Sequence, residues 1–212
     1  MSDVLLIWGA GGHAKVVLDV ARSTGLFQRF VFIDDDLTRA AQPYCGCTLA
    51  GGSEQLHRFA GGAIVIAIGT NRTRAFCYDR ARANGLRPTV LVHCKAIISR
   101  SAKIGPGTVV MPGAVVNAGA VIGENCIINT GAIVEHDCQI ADHVHISPGA
   151  VLGGGVRAGL RAHVGISAVI LPGATVGEDS VVGAGAVVLR EAPAGCTVVG
   201  VPARARSYVA TV

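Results

Sequence analysis

Residues 98–193 read ISRSAKIGPGTVVMPGAVVNAGAVIGENCIINTGAIVEHDCQIADHVHISPGAVLGGGVRAGLRAHVGISAVILPGATVGEDSVVGAGAVVLREAP. Every sixth residue from Ile98 to Val188 is a branched aliphatic, and Ala158 is the one weak member of these sixteen positions. Four positions after each aliphatic stands a smaller residue, such as Ala102 or Cys126. A period of six places the aliphatics at drifting angles around an α-helix, and the glycine density opposes helix formation. A parallel β-helix fits, because each hexad supplies one short strand and one turn, and three hexads close one coil.

The two series also predict what fills the interior of the β-helix. The large aliphatic points inward, the small residue occupies the remaining space, and glycines allow tight corners. Sixteen hexads in one phase suffice for a continuous stacked core. The sequence therefore predicts an all-β solenoid over residues 96–212. The general rule for parallel crossover connections favours a right-handed winding.

The residues before the hexads predict a Rossmann-like half-domain, residues 1–95. Val4–Trp8 is a continuous apolar run typical of a buried parallel strand, and a glycine loop and a helical segment follow it. Further apolar strands are expected at 30–33 and 63–69, and a second helix at about 70–82. The spacing Gly9-x-Gly11-x-x-Ala14 satisfies the dinucleotide-binding pattern, which is weak evidence by itself. Only half of a dinucleotide-binding domain fits before the hexads begin.

The glycine loop has two interpretations. Backbone N–H groups of Gly11 and Gly12 at a helix N-terminus favour a phosphate or diphosphate group; alternatively, the glycines only allow the strand and helix to pack closely. Asp34 and Asp35 follow the second strand, where they can accept hydrogen bonds from a sugar or base or can be solvated turn acids. Residues 37–62 are expected to form mostly loop, and their sequence assigns them no role.

Composition narrows the possible classes of protein. The 212 residues have a mean hydropathy of +0.51, but no apolar run approaches the ~20 residues that span a bilayer. Seven cysteines without a CxxC pair and no signal-peptide pattern indicate the cytoplasm. Cys126 and Cys138 occupy small interior positions and are expected to pack, and Cys45-x-Cys47 is a weak indication of a metal site. A net charge of +4 is too small and scattered to indicate nucleic-acid binding.

Glu135-His136-Asp137 replaces the usual small or glycine corner with three titratable residues. His136 is third in its hexad, outside both interior series, so its side chain is expected to point outward. A neighbouring carboxylate can hold the imidazole in one tautomer and raise its pKa, which suits a general base. An exposed histidine without a catalytic role is the alternative.

Three further histidines follow this triplet. His145 and His163 are eighteen residues apart, one full coil, so they should stack on one face of adjacent coils. One interpretation makes one a ligand contact and the other its stacking neighbour. A less favoured interpretation is a zinc site that resembles the one in β-helix carbonic anhydrases, where three histidines bind the metal across a subunit interface; His136, His143, His145 and His163 are the candidate ligands.

Taken together, several motifs resemble bacterial nucleotide-amino-sugar acetyltransferases of the bacillosamine and perosamine type, a family that includes sialic acid O-acetyltransferase relatives. The motifs lie along nearly the whole chain: Gly-Ala-Gly-Gly-His-Ala-Lys at 9–15, the Asp34-Asp35 pair, Ala-Ile-Gly-Thr-Asn at 67–71, Leu-Val-His at 91–93, Asn-Thr-Gly-Ala-Ile-Val-Glu-His-Asp-Cys at 129–138 and Val-Gly-Val-Pro-Ala at 199–203. The resemblance implies a left-handed β-helix and a homotrimer with active sites between neighbouring chains. It also implies acetyl-CoA as co-substrate, no metal, and a nucleotide-linked amino sugar as acceptor.

The resemblance also implies residue roles. His136 matches the general base and Asp137 the acid that raises its basicity; acetyl-CoA contacts match His145, Ile166 and Ala184; nucleotide-sugar contacts match Gly11, Gly12, His13, Asp34 and Asp35. The implied reaction is direct attack of the sugar amine on the thioester. Sugar O-acetylation of the sialic acid type uses the same machinery and is the alternative.

Overall fold

The computed structural model describes residues 3–36, 38 and 44–206. The described chain forms an N-terminal α/β region followed by a parallel β-helix. The first strand that pairs into the β-helix is Leu91–Val92. This strand lies just before residue 95, where the sequence predicts the division between the two domains. The position of that division stays a prediction.

The N-terminal region is built on a five-stranded parallel sheet. Its strands are β1 (Val4–Trp8), β2 (Arg29–Ile33), β3 (Thr48–Leu49), β4 (Ala63–Ile66) and β5 (Arg87–Pro88), in the order β3-β2-β1-β4-β5. β1 is central and nearly completely buried, as expected of a parallel strand covered on both faces. The strand order reverses between β1 and β4. A crevice at the carboxyl ends of strands beside such a reversal is the usual ligand position in open α/β sheets.

Two α-helices accompany this sheet. Helix α1 (Gly12–Ser23) begins directly after the glycine loop, and helix α2 (Asn71–Ala83) follows β4. The predicted loop over 37–62 contains more structure than expected, because β3 pairs with the edge of β2 and a 3-10 helix spans Ser53–Phe59. Leu56 anchors that helix in the core, with 1% of its surface exposed. Part of this stretch, residues 37 and 39–43, lies outside the described residues.

The hexads form three parallel sheets, visited in turn by successive strands. The first sheet contains β6 (Leu91–Val92), β9 (Val109–Val110), β12 (Ile127–Ile128), β15 (His145–Ile146), β18 (His163–Val164), β21 (Val181–Val182), β24 (Thr197–Val199) and the antiparallel β25 (Arg204–Ala205). The second contains β7 (Ile97–Ile98), β10 (Val115–Val116), β13 (Ile133–Val134), β16 (Val151–Leu152), β19 (Val169–Ile170) and β22 (Val187–Val188). The third contains β8 (Lys103–Ile104), β11 (Val121–Ile122), β14 (Gln139–Ile140), β17 (Arg157–Ala158), β20 (Thr175–Val176) and β23 (Glu191–Ala192).

The predicted interior of the β-helix is confirmed. All of the aliphatic series from Val110 to Val188 is buried, and the small series is buried from Thr108 to Ala192. Ile98 and Ile104 are only partly buried because they lie in the first coil, where the stack ends. Cys126 and Cys138 are buried, as the packing prediction requires.

The N-terminal region packs on the first sheet of the β-helix. Val17 and Leu18 of α1 share one hydrophobic cluster with Val109, Met111 and Ile127. Helix α2 adds polar contacts, including a 2.6 Å hydrogen bond from the Tyr78 hydroxyl to Glu124. Among the described residues, no helix has the length and apolar character needed to cross a bilayer.

Candidate active site

A cavity of about 380 Å3 opens at the carboxyl ends of β1, β2 and β4. Its lining includes all five residues to which nucleotide-sugar contacts were assigned: Gly11, Gly12, His13, Asp34 and Asp35. Ala67, Ile68 and Gly69, which follow β4, form the opposite edge. The cavity therefore occupies the crevice beside the reversal of strand order.

Helix α1 presents its N-terminus to this cavity. Gly11 is the N-cap and supplies no side-chain acceptor, and the first turn has no acidic residue. First-turn N–H groups have no acceptor within the helix, and the helix dipole is positive at this end. Gly12 and His13 therefore offer a suitable site for an anionic group such as a phosphate.

The two aspartates contribute mainly by shaping the cavity. Asp34 Oδ2 accepts a 2.6 Å hydrogen bond from the backbone N–H of Ala10, and its Oδ1 accepts one of 2.9 Å from Asp36. Asp35 Oδ1 accepts a 2.6 Å hydrogen bond from the backbone N–H of Ser53. These bonds hold the glycine loop and the 3-10 helix against the end of β2. The carboxylates retain further acceptor capacity, because each oxygen carries two lone pairs.

Three imidazoles continue from the cavity across the first sheet of the β-helix. The His145 and His163 rings stack with centroids 4.8 Å apart and planes at 24°, which confirms the predicted stacking. The His13 ring lies 6.4 Å from that of His145. Burial is the main cause that lowers the pKa of His145 to about 3 and that of His13 to about 4; His163 adds to this effect at His145, and the charge of Arg74 adds to it at both rings. Both rings are therefore neutral at physiological pH.

The tautomer of His145 follows from its neighbour Asn129. Asn129 Oδ1 accepts a 2.8 Å hydrogen bond from the Thr130 N–H, so its Nδ2 is the donor that lies 3.0 Å from His145 Nε2. His145 Nε2 is then the acceptor, and Nδ1 carries the ring proton. This Nδ1 has no hydrogen-bond partner among the described residues, and neither has His13 Nε2. Of these two buried polar atoms, His13 Nε2 is available to a ligand where the N-terminal region meets the β-helix, whereas His145 also interacts with the backbone of Gly69, which partly opposes the lowering of its pKa.

The Glu135-His136-Asp137 triplet lies on the turn between β13 and β14. His136 Nδ1 is 2.9 Å from Asp137 Oδ2, and 63% of the His136 side chain is exposed, as predicted. The carboxylate accepts a hydrogen bond from Nδ1–H, so the proton stays on Nδ1, and Nε2 keeps its lone pair and can take a proton from a reactant. The hydrogen bond to Asp137 is the main reason that the pKa of His136 is raised.

Glycines of the neighbouring coils make room for this pair. A Cβ built on Gly154, in the following coil, would lie 2.5 Å from His136 Nε2, and one on Gly119, in the preceding coil, would lie 2.5 Å from Asp137 Oδ1. Asp137 has φ +59°, at a turn position where glycine is frequent in other coils. Aspartate tolerates this conformation better than most residues, which allows its carboxylate to reach back to His136.

The predicted site residues occupy separate parts of a single chain. The nucleotide-sugar residues and His145 lie together where the N-terminal region packs on the first sheet. His136 lies between the second-sheet strand β13 and the third-sheet strand β14, at the edge opposite the first sheet. His136 and the cavity are therefore on different sides of one β-helix.

Comparisons with known proteins agree with this architecture. Residues 4–81 match the PglD N-terminal domain family, and residues 101–136 and 119–154 match the bacterial transferase hexapeptide (six repeats) family. The acetyltransferase domain of PglB from Neisseria gonorrhoeae, in complex with acetyl coenzyme A, is 40% identical, with a TM-score of 0.93, 97% of this chain covered and 100% of that chain. A histidine-to-asparagine mutant of perosamine N-acetyltransferase from Caulobacter crescentus, in complex with CoA and GDP-perosamine, is 36% identical, with a TM-score of 0.91 and 96% of each chain covered.

This chain belongs to the nucleotide-amino-sugar acetyltransferases of the left-handed β-helix type. WeeI from Acinetobacter baumannii is a further similar structure, at 28% identity and a TM-score of 0.86, with 96% of this chain and 99% of that chain covered. The resemblance recognised in the sequence is thereby confirmed, together with the left-handed winding. The general preference of parallel crossovers for the right hand does not apply to these short hexad turns.

Besides His145, two residues were matched to acetyl-CoA contacts, Ile166 and Ala184, and they stack on one edge of the β-helix. Ile166 and Ala184 occupy the same turn position in adjacent coils, after β18 and β21, and the Gly185 N–H donates a 2.8 Å hydrogen bond to the Ile166 carbonyl. Ile166 is 56% exposed and Ala184 is also exposed. They form an accessible ledge where the first sheet turns into the second.

The histidines do not form a metal centre in the described part of the acetyltransferase chain. No group of three or more His, Cys, Asp or Glu side chains there converges on a point that could hold a metal ion. His163 Nε2 lies 2.9 Å from the Ser147 hydroxyl, and His145 Nε2 is taken by Asn129. Within the described part of one chain, the zinc interpretation therefore has no complete set of ligands.

Sequence reasoning missed three residues of the site. Asn129 sets the tautomer of His145, Gly154 leaves room for the His136 ring, and Arg74 is buried where the two regions meet. A signal for Gly154 was present, since the run 153–155 lies one coil after the Glu135-His136-Asp137 triplet. Nothing local marks Arg74, which is one of several arginines in a polar helix.

A larger cavity, about 880 Å3, lies elsewhere, at the amino ends of the N-terminal strands. It is lined by Arg22, Arg29 and Arg58 and contains none of the predicted site residues. The smaller cavity is the better candidate because it contains the helix N-terminus and adjoins the imidazoles.

Proposed function

We propose that the protein transfers acetyl from acetyl-CoA to the amine of a nucleotide-linked amino sugar, with His136 as general base, as a cytoplasmic homotrimer. Residues 1–95 hold the nucleotide sugar, and residues 96–212 hold acetyl-CoA. The acceptor class is the UDP- or GDP-linked 4-amino-4,6-dideoxy sugar, for surface-glycan or glycoprotein synthesis. The similar enzyme from Caulobacter crescentus in complex with GDP-perosamine supports this class.

One observation carries the catalytic part of the proposal: the exposed His136–Asp137 pair on the β-helix. Asp137 holds the Nδ1 proton, so Nε2 of the imidazole can accept a proton. The raised pKa makes it a stronger base than an isolated imidazole. A histidine held in this way suits proton removal from an attacking amine.

The separation of His136 from the cavity of its own chain supports the trimer. A base can act only within hydrogen-bond reach of the proton that it removes, directly or through one water. In a homotrimer, His136 of one chain can approach the cavity edge of its neighbour, with the Ile166 and Ala184 ledge available for acetyl-CoA. Each active site is then shared between chains.

The chemical step balances without a covalent enzyme intermediate. The amine nitrogen attacks the thioester carbonyl as His136 Nε2 removes a proton from nitrogen. The tetrahedral intermediate collapses, the carbon–sulfur bond breaks, and CoA leaves as the thiolate. Backbone N–H groups at a coil corner stabilise the oxyanion. An acyl-enzyme is unnecessary, since no serine or cysteine is hydrogen-bonded to His136 among the described residues.

The test is thiol release from acetyl-CoA with a panel of UDP- and GDP-linked 4-amino sugars and free sialic acid. Turnover on an amino sugar supports the proposal. Turnover confined to sialic acid identifies sugar O-acetylation instead. No turnover, combined with no affinity for CoA, overturns the transferase assignment and makes tightly bound zinc the next measurement.

Asp137→Asn should separate the effects of charge and geometry. Asparagine keeps the shape and tolerates the positive φ, but it removes the hydrogen-bonded charge that raises the His136 pKa. The pKa of His136 should fall, so the acid limb of kcat/KM should move to lower pH. The plateau kcat should drop by roughly 10- to 100-fold, because the base is weaker. A complete pH–rate profile measures both, and an acid limb that does not move would contradict this role of Asp137.

A further inference from the structure

Arg74 is the most deeply buried charged side chain described in the molecule, with 1% of its surface exposed. It lies in α2, and its guanidinium reaches the region where the N-terminal domain meets the β-helix. No carboxylate among the described residues pairs with it. A buried charge is destabilising unless it is fully hydrogen-bonded, so its partners reveal what the fold gains from it.

The partners of Arg74 are oxygens from both parts of the chain. On the N-terminal side, Nη1 donates to the carbonyls of Ile68 and Gly69 at 3.2 and 3.0 Å, and Nη2 donates to Asn71 Oδ1 at 2.8 Å. On the β-helix side, the acceptors are the carbonyls of Asn125, at 2.9 Å from Nε, and His143, at 2.7 Å from Nη2. The planar fork of an arginine suits such multiple donation, which a lysine cannot reproduce.

These acceptors belong to the edges of the proposed site. Ile68 and Gly69 line the nucleotide-sugar cavity, and Gly69 also lines an adjoining cleft of about 500 Å3 that His145 and His163 border. His143 lies two residues before His145, the first residue of β15. One guanidinium therefore connects the substrate cavity to the imidazole stack.

We propose that Arg74 is a positioning residue that holds the Ile68–Gly69 edge of the nucleotide-sugar cavity in register with His145, and so aligns the acceptor sugar for transfer. This inference rests on the proposed function. Arg74 touches no reacting atom; it acts through the backbone carbonyls it binds. Its charge also helps to lower the pKa of His13 and His145, after burial, and thus favours their neutral forms.

The experiment compares Arg74→Lys with Arg82→Lys. Arg82 is a matched control because it is on the same helix and also contacts the β-helix, through a 3.4 Å ion pair with Glu124, but its side chain is 59% exposed. For each protein, KM for the amino-sugar nucleotide, KM for acetyl-CoA and kcat are measured. Amide hydrogen exchange over residues 67–71 and 143–146 is followed in the resting protein.

We expect Arg74→Lys to raise KM for the nucleotide sugar roughly tenfold or more, because hydrogen bonds to a charged group are lost. In the same variant, KM for acetyl-CoA should stay within about twofold of the wild-type value, and amide exchange over residues 67–71 and 143–146 should be faster. Arg82→Lys should match the wild type in all of these measurements, because exposed ion pairs contribute little. Unchanged exchange overturns the proposal. Faster exchange with an unchanged nucleotide-sugar KM also overturns it, because Arg74 would then only support the fold.

Two further measurements keep this inference separable from the proposed function. If the wild type acetylates no acceptor, the proposed function fails, and the affinities of the protein for UDP and GDP then test the role of Arg74. Weaker nucleotide binding by Arg74→Lys than by the wild type supports that role. Equal binding overturns it. If Arg74→Lys does not fold, Asn71→Ala decides in its place. That substitution removes one acceptor of the guanidinium together with the Asn71 Nδ2 hydrogen bonds to the Arg161 and Ala162 carbonyls. It should shift the nucleotide-sugar KM in the same direction, and an unchanged KM overturns the inference.

Discussion

Replacing His136 with alanine should lower kcat by about 10²- to 10⁴-fold, the usual contribution of a general base. The reason is the loss of the Nε2 lone pair that accepts the amine proton, whereas the bonds that form the cavity and the β-helix remain. KM for both substrates should change little, because the cavity residues and the Ile166 and Ala184 ledge that are proposed to bind them are unchanged. The measurement is steady-state thiol release on the acceptor that the wild type uses best.

His136→Asn provides a matched polar control. It keeps a side chain of similar reach but cannot accept a proton, so its kcat should fall as far as that of His136→Ala. Melting temperatures of both variants should stay near the wild-type value, as expected for exposed positions. If His136→Asn retained most of the activity, proton removal by His136 would be excluded.

Gly154→Ala should lower kcat by roughly 10- to 100-fold, because a misplacement of about 1 Å at a reacting group has an effect of this order. The added Cβ would lie 2.5 Å from His136 Nε2, so the imidazole must move. The fold should persist, since the atom displaced is at the end of an exposed side chain and Gly154 does not have a positive φ. Melting temperature and both KM values should be close to those of the wild type.

A double-mutant cycle identifies the route of this effect. In the His136→Ala background there is no ring to displace, so Gly154→Ala should cause no further loss of kcat. Additive losses in the double variant would mean that Gly154 acts on something other than His136.

Part of the candidate site could be predicted from the sequence. Its residues lie in loops that directly follow predicted strands, so the positions of the strands in the sheet also fix the positions of these residues. The loops after β1 and β2 must meet at the carboxyl edge of a parallel sheet, and they place Gly11, Gly12, His13 and Asp34 around one cavity. The stacking of His145 on His163 follows in the same way from the eighteen residues of one coil. The strand and helix inside residues 37–62 were missed, since their stability comes from edge pairing with β2 and from Leu56, and their local composition is that of a loop.

The hexad period alone determined the β-helix, its register and its interior, because each coil repeats one local rule and neighbouring coils pair at a constant offset. It also determined that His136 points outward. Only the tertiary structure decided what surrounds these residues. Arg74 bonds to carbonyls 51 and 69 residues away along the chain, and the His136 edge lies across the β-helix from the cavity. The physical reason is that such contacts depend on how two separately folded surfaces pack, and neither the propensity nor the periodicity of one segment specifies that packing.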